Sequence, residues 1–190
     1  MDNLIYDNET FTDLNYTDKA VKGREFQSCV FKKCELSNSD FSQNKFLDCV
    51  FDGCNLSMMK LGKSTLNDVV FKNCKILGVN FHECHDFLFT VSFDSCILDY
   101  SSFMGKKMIK TKFGRSSLKE VNFIQANLSG SGFDECDLSG TIFSQTDLSS
   151  VNFVTAYNYT IDPELNSLKK AAFSADGLQG LLSKYQIRVV

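Results

Sequence analysis

Residues 123–153 read FIQAN LSGSG FDECD LSGTI FSQTD LSSVN F, so that every fifth residue is Phe or Leu. The same step of five carries large apolar residues through residues 26–81 and, in a phase shifted by two residues, through residues 88–153. The shift falls within residues 83–89, and a weaker form of the pattern begins at Tyr6. An internal repeat of this length decides the architecture before any single motif does.

A step of five residues fits neither regular secondary structure. On an α-helix, five residues advance about 500°, so the apolar side chains would spread around the cylinder and form no stripe. In a continuous strand, an odd step sends alternate side chains to opposite faces. The side chains can share one interior only if the chain turns once per repeat. The pattern therefore predicts a coil wound around its own apolar axis.

The type of apolar residue repeats every 20 residues, or 22 across the slip, which predicts four repeats in each coil. One of the four columns contains only phenylalanine: Phe31, Phe51, Phe71, Phe93, Phe113, Phe133 and Phe153. Cysteine keeps the same period two residues before a column residue, at Cys34, Cys54, Cys74, Cys96 and Cys136. Stacked coils must stay aligned to pair their backbone groups, so we expect the slip to be a bulge within one coil, with Leu88 returning to the column.

Short motifs inside the repeat resemble the A(D/N)LXX unit of the pentapeptide-repeat family, namely ANLSG at 126–130, CDLSG at 136–140 and CNLS at 54–57. The resemblance covers about residues 6–157 and implies an all-β solenoid, a right-handed quadrilateral β-helix. In that fold the central residue of each repeat and the residue two before it point inward. About eight coils at a strand spacing of roughly 4.8 Å would form a rod about 40 Å long. We assign residues 1–173 to this β-helix, with the register slip at residues 83–89.

Three stretches, IDP at 161–163, LKKAAFS at 168–174 and LLSKYQI at 181–187, resemble the C-terminal cap of the fluoroquinolone-resistance branch of that family, the Qnr-type and MfpA-type proteins. We assign residues 174–190 to this cap. Ser174 suits a helix N-cap, an apolar stripe with helical spacing follows it, and residues 187–190 predict a short strand. The resemblance implies that this cap pairs two subunits tail to tail. The residues predicted to form the dimer interface are Leu178, Leu181, Leu182, Tyr185, Ile187 and Val189. The alternative is a helix that folds over its own last coil.

The eight cysteines are predicted to be reduced and inward-facing, where a small apolar packing role explains them. The alternative is a metal or redox role for stacked thiols. The cluster His82, Cys84 and His85 lacks a second ligand pair at zinc spacing. The chain shows no nucleophile elbow and no glycine-rich phosphate loop, so we predict no enzyme, no cofactor and no metal site. Asp and Asn residues just before a column residue, such as Asp137 and Asp147, are predicted to be turn residues.

Composition excludes several classes of function. The 190 residues carry 20 Lys and Arg against 23 Asp and Glu, a net charge of −3 that lacks the basic excess of a general nucleic-acid binder. No apolar run reaches the roughly 20 residues that cross a bilayer. Residues 1–18 hold acids but no base, unlike a secretory or mitochondrial targeting signal. We therefore expect a cytoplasmic protein that binds neither membranes nor nucleic acid directly.

Acidic residues without bases cluster in residues 126–157, at Asp134, Glu135, Asp137 and Asp147. In the resembled branch, an acidic dimeric rod imitates duplex DNA and occupies the DNA-binding saddle of DNA gyrase or topoisomerase IV. The resemblance thus implies a non-enzymatic type II topoisomerase ligand that protects against or modulates fluoroquinolone action. Its predicted contacts are these four acids and the bulge residues Glu83, His85, Asp86 and Phe87.

Two features favour the alternative function, a general interaction scaffold with an unknown partner. A net charge of −3 per subunit is weak for a DNA-like field. A basic band without acids also lies between residues 100 and 119: Lys106, Lys107, Lys110, Lys112, Arg115 and Lys119. A continuous negative face would support DNA mimicry, whereas a patchwork of charge would support the scaffold.

Overall fold

A computed structural model describes residues 4–187 and shows a parallel β-solenoid. Its strands are β1 (Ile5–Asp7), β2 (Thr10–Thr12), β3 (Glu25–Gln27), β4 (Val30–Lys32), β5 (Lys45–Leu47), β6 (Val50–Asp52), β7 (Thr65–Asn67), β8 (Val69–Lys72), β9 (Val91–Asp94), β10 (Lys112–Gly114) and β11 (Gly132–Asp134). One side of the solenoid is a sheet of order β1-β3-β5-β7, and the next is a sheet of order β11-β10-β9-β8-β6-β4-β2. The strands are short because the chain turns a corner after each of them.

Isolated parallel bridges form the other two sides in the same register. One of these sides consists of Asn15, Glu35, Asn55, Lys75, Ile97, Ser117, Asp137 and Tyr157. The other includes the bridged residues Ala20, Asp40 and Lys60, and further along Asn80, Ser102, Asn122 and Ile142. Paired residues are 20 positions apart except at the slip, where Val69 pairs with Val91. The predicted solenoid with four repeats per coil, and a slip confined to one coil, is confirmed.

The corners are held by residues in the left-handed region and by side chains of Asn and Asp. Non-glycine corner residues adopt positive φ, as at Asp48 with φ 54° and Ser28 with φ 51°. The Oδ1 of Asp137 accepts a hydrogen bond from the backbone N–H of Ser139 at 3.1 Å, and Asp147 accepts one from Ser149 at 3.0 Å. These bonds replace a backbone turn bond. The predicted turn role of the two aspartates is confirmed.

The core is a set of stacked aromatic rings that run along the axis. In the all-phenylalanine column, the ring centroids of Phe113 and Phe133 lie 4.8 Å apart with an interplanar angle of 4°. In the column two sides further along the coil, Phe81 and Phe103 stack at 4.6 Å. The two columns meet edge to face, with Phe93 and Phe103 at 5.8 Å and 73°. Each coil therefore buries its rings mainly against the coils directly before and after it.

At many of the inward positions two places before a column residue, a Cys, Ser or Thr side chain donates a hydrogen bond to the preceding coil. Cys74 Sγ donates to the carbonyl of Phe51 at 3.4 Å, and Cys136 Sγ to that of Phe113 at 3.4 Å. Where the cysteine is replaced, a hydroxyl takes the same role, since Ser64 Oγ donates to Phe41 at 2.8 Å. The inward position of the cysteines is confirmed, and all eight are free and buried. The hydrogen bonds explain why Cys, Ser and Thr share this position.

We expect the native protein to resist a thiol reagent such as dithionitrobenzoate. All eight thiols are buried away from the reagent, and at Cys49 and Cys136 burial also raises the pKa to about 12, which suppresses the reactive thiolate there. In denaturant, all eight cysteines should react in one rapid phase. Absorbance of the released thiolate measures both states. Rapid modification of a subset of thiols in the native protein would contradict the expectation, because it requires a coil that opens locally.

The C-terminal segment folds over the last coil in three consecutive helical turns. These are a 3-10 turn at Asp176–Leu178, the α-helix α1 at Gln179–Leu182 and a second 3-10 turn at Ser183–Tyr185. Ser174 Oγ accepts a hydrogen bond from the N–H of Gly177 at 3.1 Å, which confirms its capping role. No helix within residues 4–187 is long and apolar enough to cross a membrane.

The regular helical stripe predicted for the cap is wrong. Leu181 packs against the core, but Leu178 and Tyr185 are exposed, because the tighter 3-10 turns on either side of α1 rotate them away from the coil. Ile187, the first residue of the predicted terminal strand, is exposed and is the last residue that the structure describes, so this strand stays a prediction. The remainder of that strand, and the predicted interface residue Val189, lie outside the described residues.

Candidate interaction surfaces

The register slip forms an outward bulge of residues 85–88, which lies between buried Cys84 and buried Phe89. Phe87 is 77% exposed at its tip. The predicted bulge at His85, Asp86 and Phe87 is confirmed as a structural feature. The prediction that Leu88 returns to the core column is wrong, because Leu88 is 53% exposed with φ 57°. The larger ring of Phe89 is buried instead.

Lys106 is buried beneath this bulge. Its side chain is 1% exposed, and its Nζ donates to the carbonyl of Cys84 and to the carboxylate of Asp86. The ammonium also lies 5.1 Å from the ring centroid of Phe89. The assignment of Lys106 to a surface basic band is therefore wrong. The repeat could have predicted this burial, because position 106 is two residues before Met108 and is therefore inward-facing.

The histidines and cysteine near the bulge are not brought together. Cys84 Sγ donates to the carbonyl of Leu61 at 3.5 Å, and burial raises its pKa to about 12. His85 is exposed on the bulge, while the Nδ1 of His82 is buried with no hydrogen-bond partner among the described residues. Within residues 4–187, no group of three His, Cys, Asp or Glu side chains could hold a metal ion.

The four predicted acidic contacts do not form one surface. Asp134 and Glu135 are exposed at the end of β11, and Asp137 follows on the next side. Asp147 belongs to the side opposite that of Asp137, because the two residues precede columns two repeats apart in the four-sided coil. Although partial burial opposes the shift, hydrogen bonds from Ser139 and other neighbours hold the pKa of Asp137 below its usual range. The carboxylate of Asp137 is therefore occupied mainly by the hydrogen bonds that stabilise its turn.

Basic residues are interleaved with these acids. Lys112 and Arg115 line a groove of about 330 Å³ together with Asp134 and Glu135. Lys119 lies 3.3 Å from the carboxylate of Asp137. On the seven-stranded sheet, which carries the groove, opposite charges also occupy successive coils in register: Lys32, Asp52, Lys72 and Asp94. The wall is a patchwork of charge and not a continuous negative face.

The cap sits on the last coil through close backbone packing. A Cβ atom added to Gly180 would lie 2.3 Å from the carbonyl oxygen of Tyr159, so only glycine allows this approach. The N–H of Ile161 donates to the carbonyl of Gly180 at 3.0 Å. Lys184 Nζ lies 2.7 Å from Asp162 and 2.8 Å from Glu164, which ties the end of the cap to the coil.

Family comparisons agree with the repeat that the structure displays. The model of the pentapeptide repeat region matches residues 24–103 and 63–123, and the model of eight-copy pentapeptide repeats matches residues 116–153. The chain belongs to the pentapeptide-repeat family. The matched residues span the coils from 24 to 153, including the bulge, and do not include the cap.

Solved structures of pentapeptide-repeat proteins show the same fold. Full-length QnrB1, a plasmid-mediated fluoroquinolone resistance protein, is similar with a TM-score of 0.68 and 15% identity, covering 96% of this chain and 100% of that chain. A trypsin-treated QnrB1 variant has a TM-score of 0.65 and 17% identity, covering 98% of this chain and 91% of that chain. At these identities the similarity shows the fold alone. No curated protein sequence matches this chain significantly.

Proposed function

We propose that this protein is a non-enzymatic ligand of a type II topoisomerase, DNA gyrase or topoisomerase IV, and that it modulates fluoroquinolone action. The observation that carries the proposal is the extent of similarity to QnrB1, which spans 96% of this chain and the whole of that fluoroquinolone resistance protein. An alignment of that extent includes part of the C-terminal cap as well as the coils. Similarity confined to the coils would carry much less weight, since coils with different functions share them.

Two surfaces are available for this function. Near the C-terminal end of the rod, Asp134 and Glu135 present exposed carboxylates. On the cap, Leu178, Tyr185 and Ile187 are 46%, 53% and 57% exposed, which suits a tail-to-tail dimer of two subunits. In such a dimer the two pairs of carboxylates would lie on either side of the centre of the rod. Val189 belongs to the same proposed interface.

Purified protein titrated into a gyrase supercoiling reaction, with and without a fluoroquinolone, tests the proposal. We expect supercoiling to recover in the presence of the drug at protein concentrations close to that of the enzyme. Inhibition without recovery would indicate a competitor of DNA rather than a protective ligand. Supercoiling that is unchanged at every protein concentration would contradict the proposal.

The variant with Asp134→Asn and Glu135→Gln should raise the protein concentration required for recovery about tenfold or more, because it removes charges that face the partner. The matched control is Asp7→Asn with Glu9→Gln, which removes the same charge from exposed residues at the other end of the rod. We expect the control to behave like the unchanged protein. Equal effects of the two variants would show that net charge, and not this surface, matters.

The patchwork of charge favours a second candidate, a scaffold for a different protein partner. Lys119 pairs with Asp137 and Arg115 pairs with Asp94, so neighbouring charges on the wall neutralise each other. This candidate predicts no effect on supercoiling. A photocrosslinking amino acid at position 87, on the exposed tip of the bulge, would then capture the partner.

A further inference from the structure

Lys106 occupies an inward position that short side chains fill in other coils, namely Asn44, Ser64, Ala126 and Thr146. On the same side of the coil, Ser64 Oγ donates to the carbonyl of Phe41 and Thr146 Oγ1 donates to that of Phe123. Lysine is among the residues least often buried, because its charge must leave water. A buried lysine in an otherwise regular column therefore requires a local cause.

The two-residue insertion provides that cause. In other coils, the carbonyl of the inward residue accepts a hydrogen bond from the backbone of the next coil, as Lys106 O does from the N–H of Asn127 at 2.8 Å. The equivalent acceptor in the bulged coil is the carbonyl of Cys84. No backbone N–H among the described residues donates to it, and the Lys106 ammonium does. The long side chain thus replaces the backbone donor that the insertion moves out of reach.

The same ammonium anchors the outer part of the bulge. It binds the carboxylate of Asp86, whose side chain is 82% exposed, and it contacts the ring of Phe89. Phe87 and Leu88 lie between these two anchors and project outward. Leu88 has φ 57°, a conformation that side chains of its kind rarely adopt and that the surroundings must impose.

We infer that Lys106 and the insertion form one unit, in which Lys106 is the positioning residue that holds Phe87 and Leu88 outward as a rigid apolar contact point. The positioning role stands on the contacts of Lys106 alone. Its consequence for partner binding rests on the proposed function.

Limited proteolysis with chymotrypsin tests the positioning role. Lys106→Met keeps the length of the side chain but removes the ammonium, so cleavage after Phe87 or Leu88 should become about tenfold faster. Lys107→Met, which changes an exposed neighbouring lysine, is the matched control and should leave the cleavage rate unchanged. Cleavage sites are identified by mass spectrometry. Equal cleavage rates at the bulge in the two variants would overturn the inference.

A second experiment tests the inference even if the Lys106→Met variant does not fold. It compares the effect of Lys106→Ser in chains with and without the two-residue insertion. Deleting Asp86 and Phe87 restores the 20-residue spacing and returns Leu88 to the column. In that background, Lys106→Ser should raise the midpoint of thermal unfolding, whereas in the full-length chain the same change should lower it. This reversal of sign is expected only if lysine and insertion are coupled. Changes of the same sign in both backgrounds would overturn the inference.

The supercoiling assay separates the two parts of the argument. If Lys106→Met and Phe87→Ala both weaken the recovery of supercoiling in the presence of the drug, the bulge is a partner contact and Lys106 positions it. If Lys106→Met accelerates proteolysis but leaves recovery unchanged, the positioning role stands and the bulge contact in the proposed function fails.

Discussion

Replacing Phe103 with alanine should lower the free energy of unfolding by about 3–5 kcal/mol, the range for truncating a buried aromatic ring. Phe103 is fully buried. Its ring stacks on Phe81 at 4.6 Å and on Phe123 at 5.3 Å. Because each coil gains most of its stability from its two neighbours, a cavity here weakens two interfaces at once. Urea denaturation followed by circular dichroism measures the loss.

The matched control is Phe87→Ala, which removes the same ring from the tip of the bulge. Phe87 is 77% exposed, so we expect a change within about 0.5 kcal/mol. A loss for Phe87→Ala comparable to that for Phe103→Ala would show that the bulge is packed against another part of the molecule. A small loss for Phe103→Ala would contradict the stacked core.

Gly180→Ala should displace the cap from the last coil. The added Cβ would lie 2.3 Å from the carbonyl oxygen of Tyr159 and 2.7 Å from its ring, and backbone cannot move aside as a flexible side chain can. We expect a loss of about 1–3 kcal/mol, typical of overpacking, and exposure of the Tyr159 ring beneath the cap. Hydrogen exchange of residues 159–161 measures the displacement directly. Unchanged exchange in this segment would contradict the packing described for Gly180.

A second variant separates the cap as a lid from the cap as a dimer interface. Leu178 is 46% exposed, so Leu178→Lys leaves the contact with the last coil intact. If the proposed tail-to-tail dimer forms, Leu178→Lys should give monomers in sedimentation velocity without faster exchange at Tyr159. Gly180→Ala should both dissociate the dimer and accelerate exchange. A dimer that survives both variants would place the interface elsewhere.

The distribution of charge bears on which partner the rod can bind. An extended negative field attracts a DNA-binding surface, whereas neighbouring opposite charges cancel within about a Debye length of 8–10 Å. Arg115 pairs with Asp94 and Lys119 pairs with Asp137, so long-range attraction is weak on this wall. If the proposed function holds, short-range contacts at Asp134, Glu135 and Phe87 therefore carry more of the recognition than a DNA-like field does.

The sequence alone determined the solenoid, its four sides and the slip in one coil. Those features follow from burial repeated at a fixed spacing, and the step of five from Phe26 to Phe81 shows that spacing directly. The turn roles of Asp137 and Asp147 also follow from the sequence, because a side chain that bonds its own backbone two residues on needs no distant partner. Constraints that are local or periodic can therefore be predicted from the amino-acid sequence alone.

Only the tertiary structure decided what happens where the period breaks. Leu88 and Phe89 are both apolar and adjacent, and the choice between them depends on contacts with the next coil, where the Lys106 ammonium lies 5.1 Å from the centroid of the Phe89 ring. Likewise, the pairing of Lys119 with Asp137 depends on which coils become neighbours. A repeat specifies which residues point inward. The partners of each charge and the filling of an irregular space depend on contacts between residues about 20 or more positions apart, and these exist only once the coils have stacked.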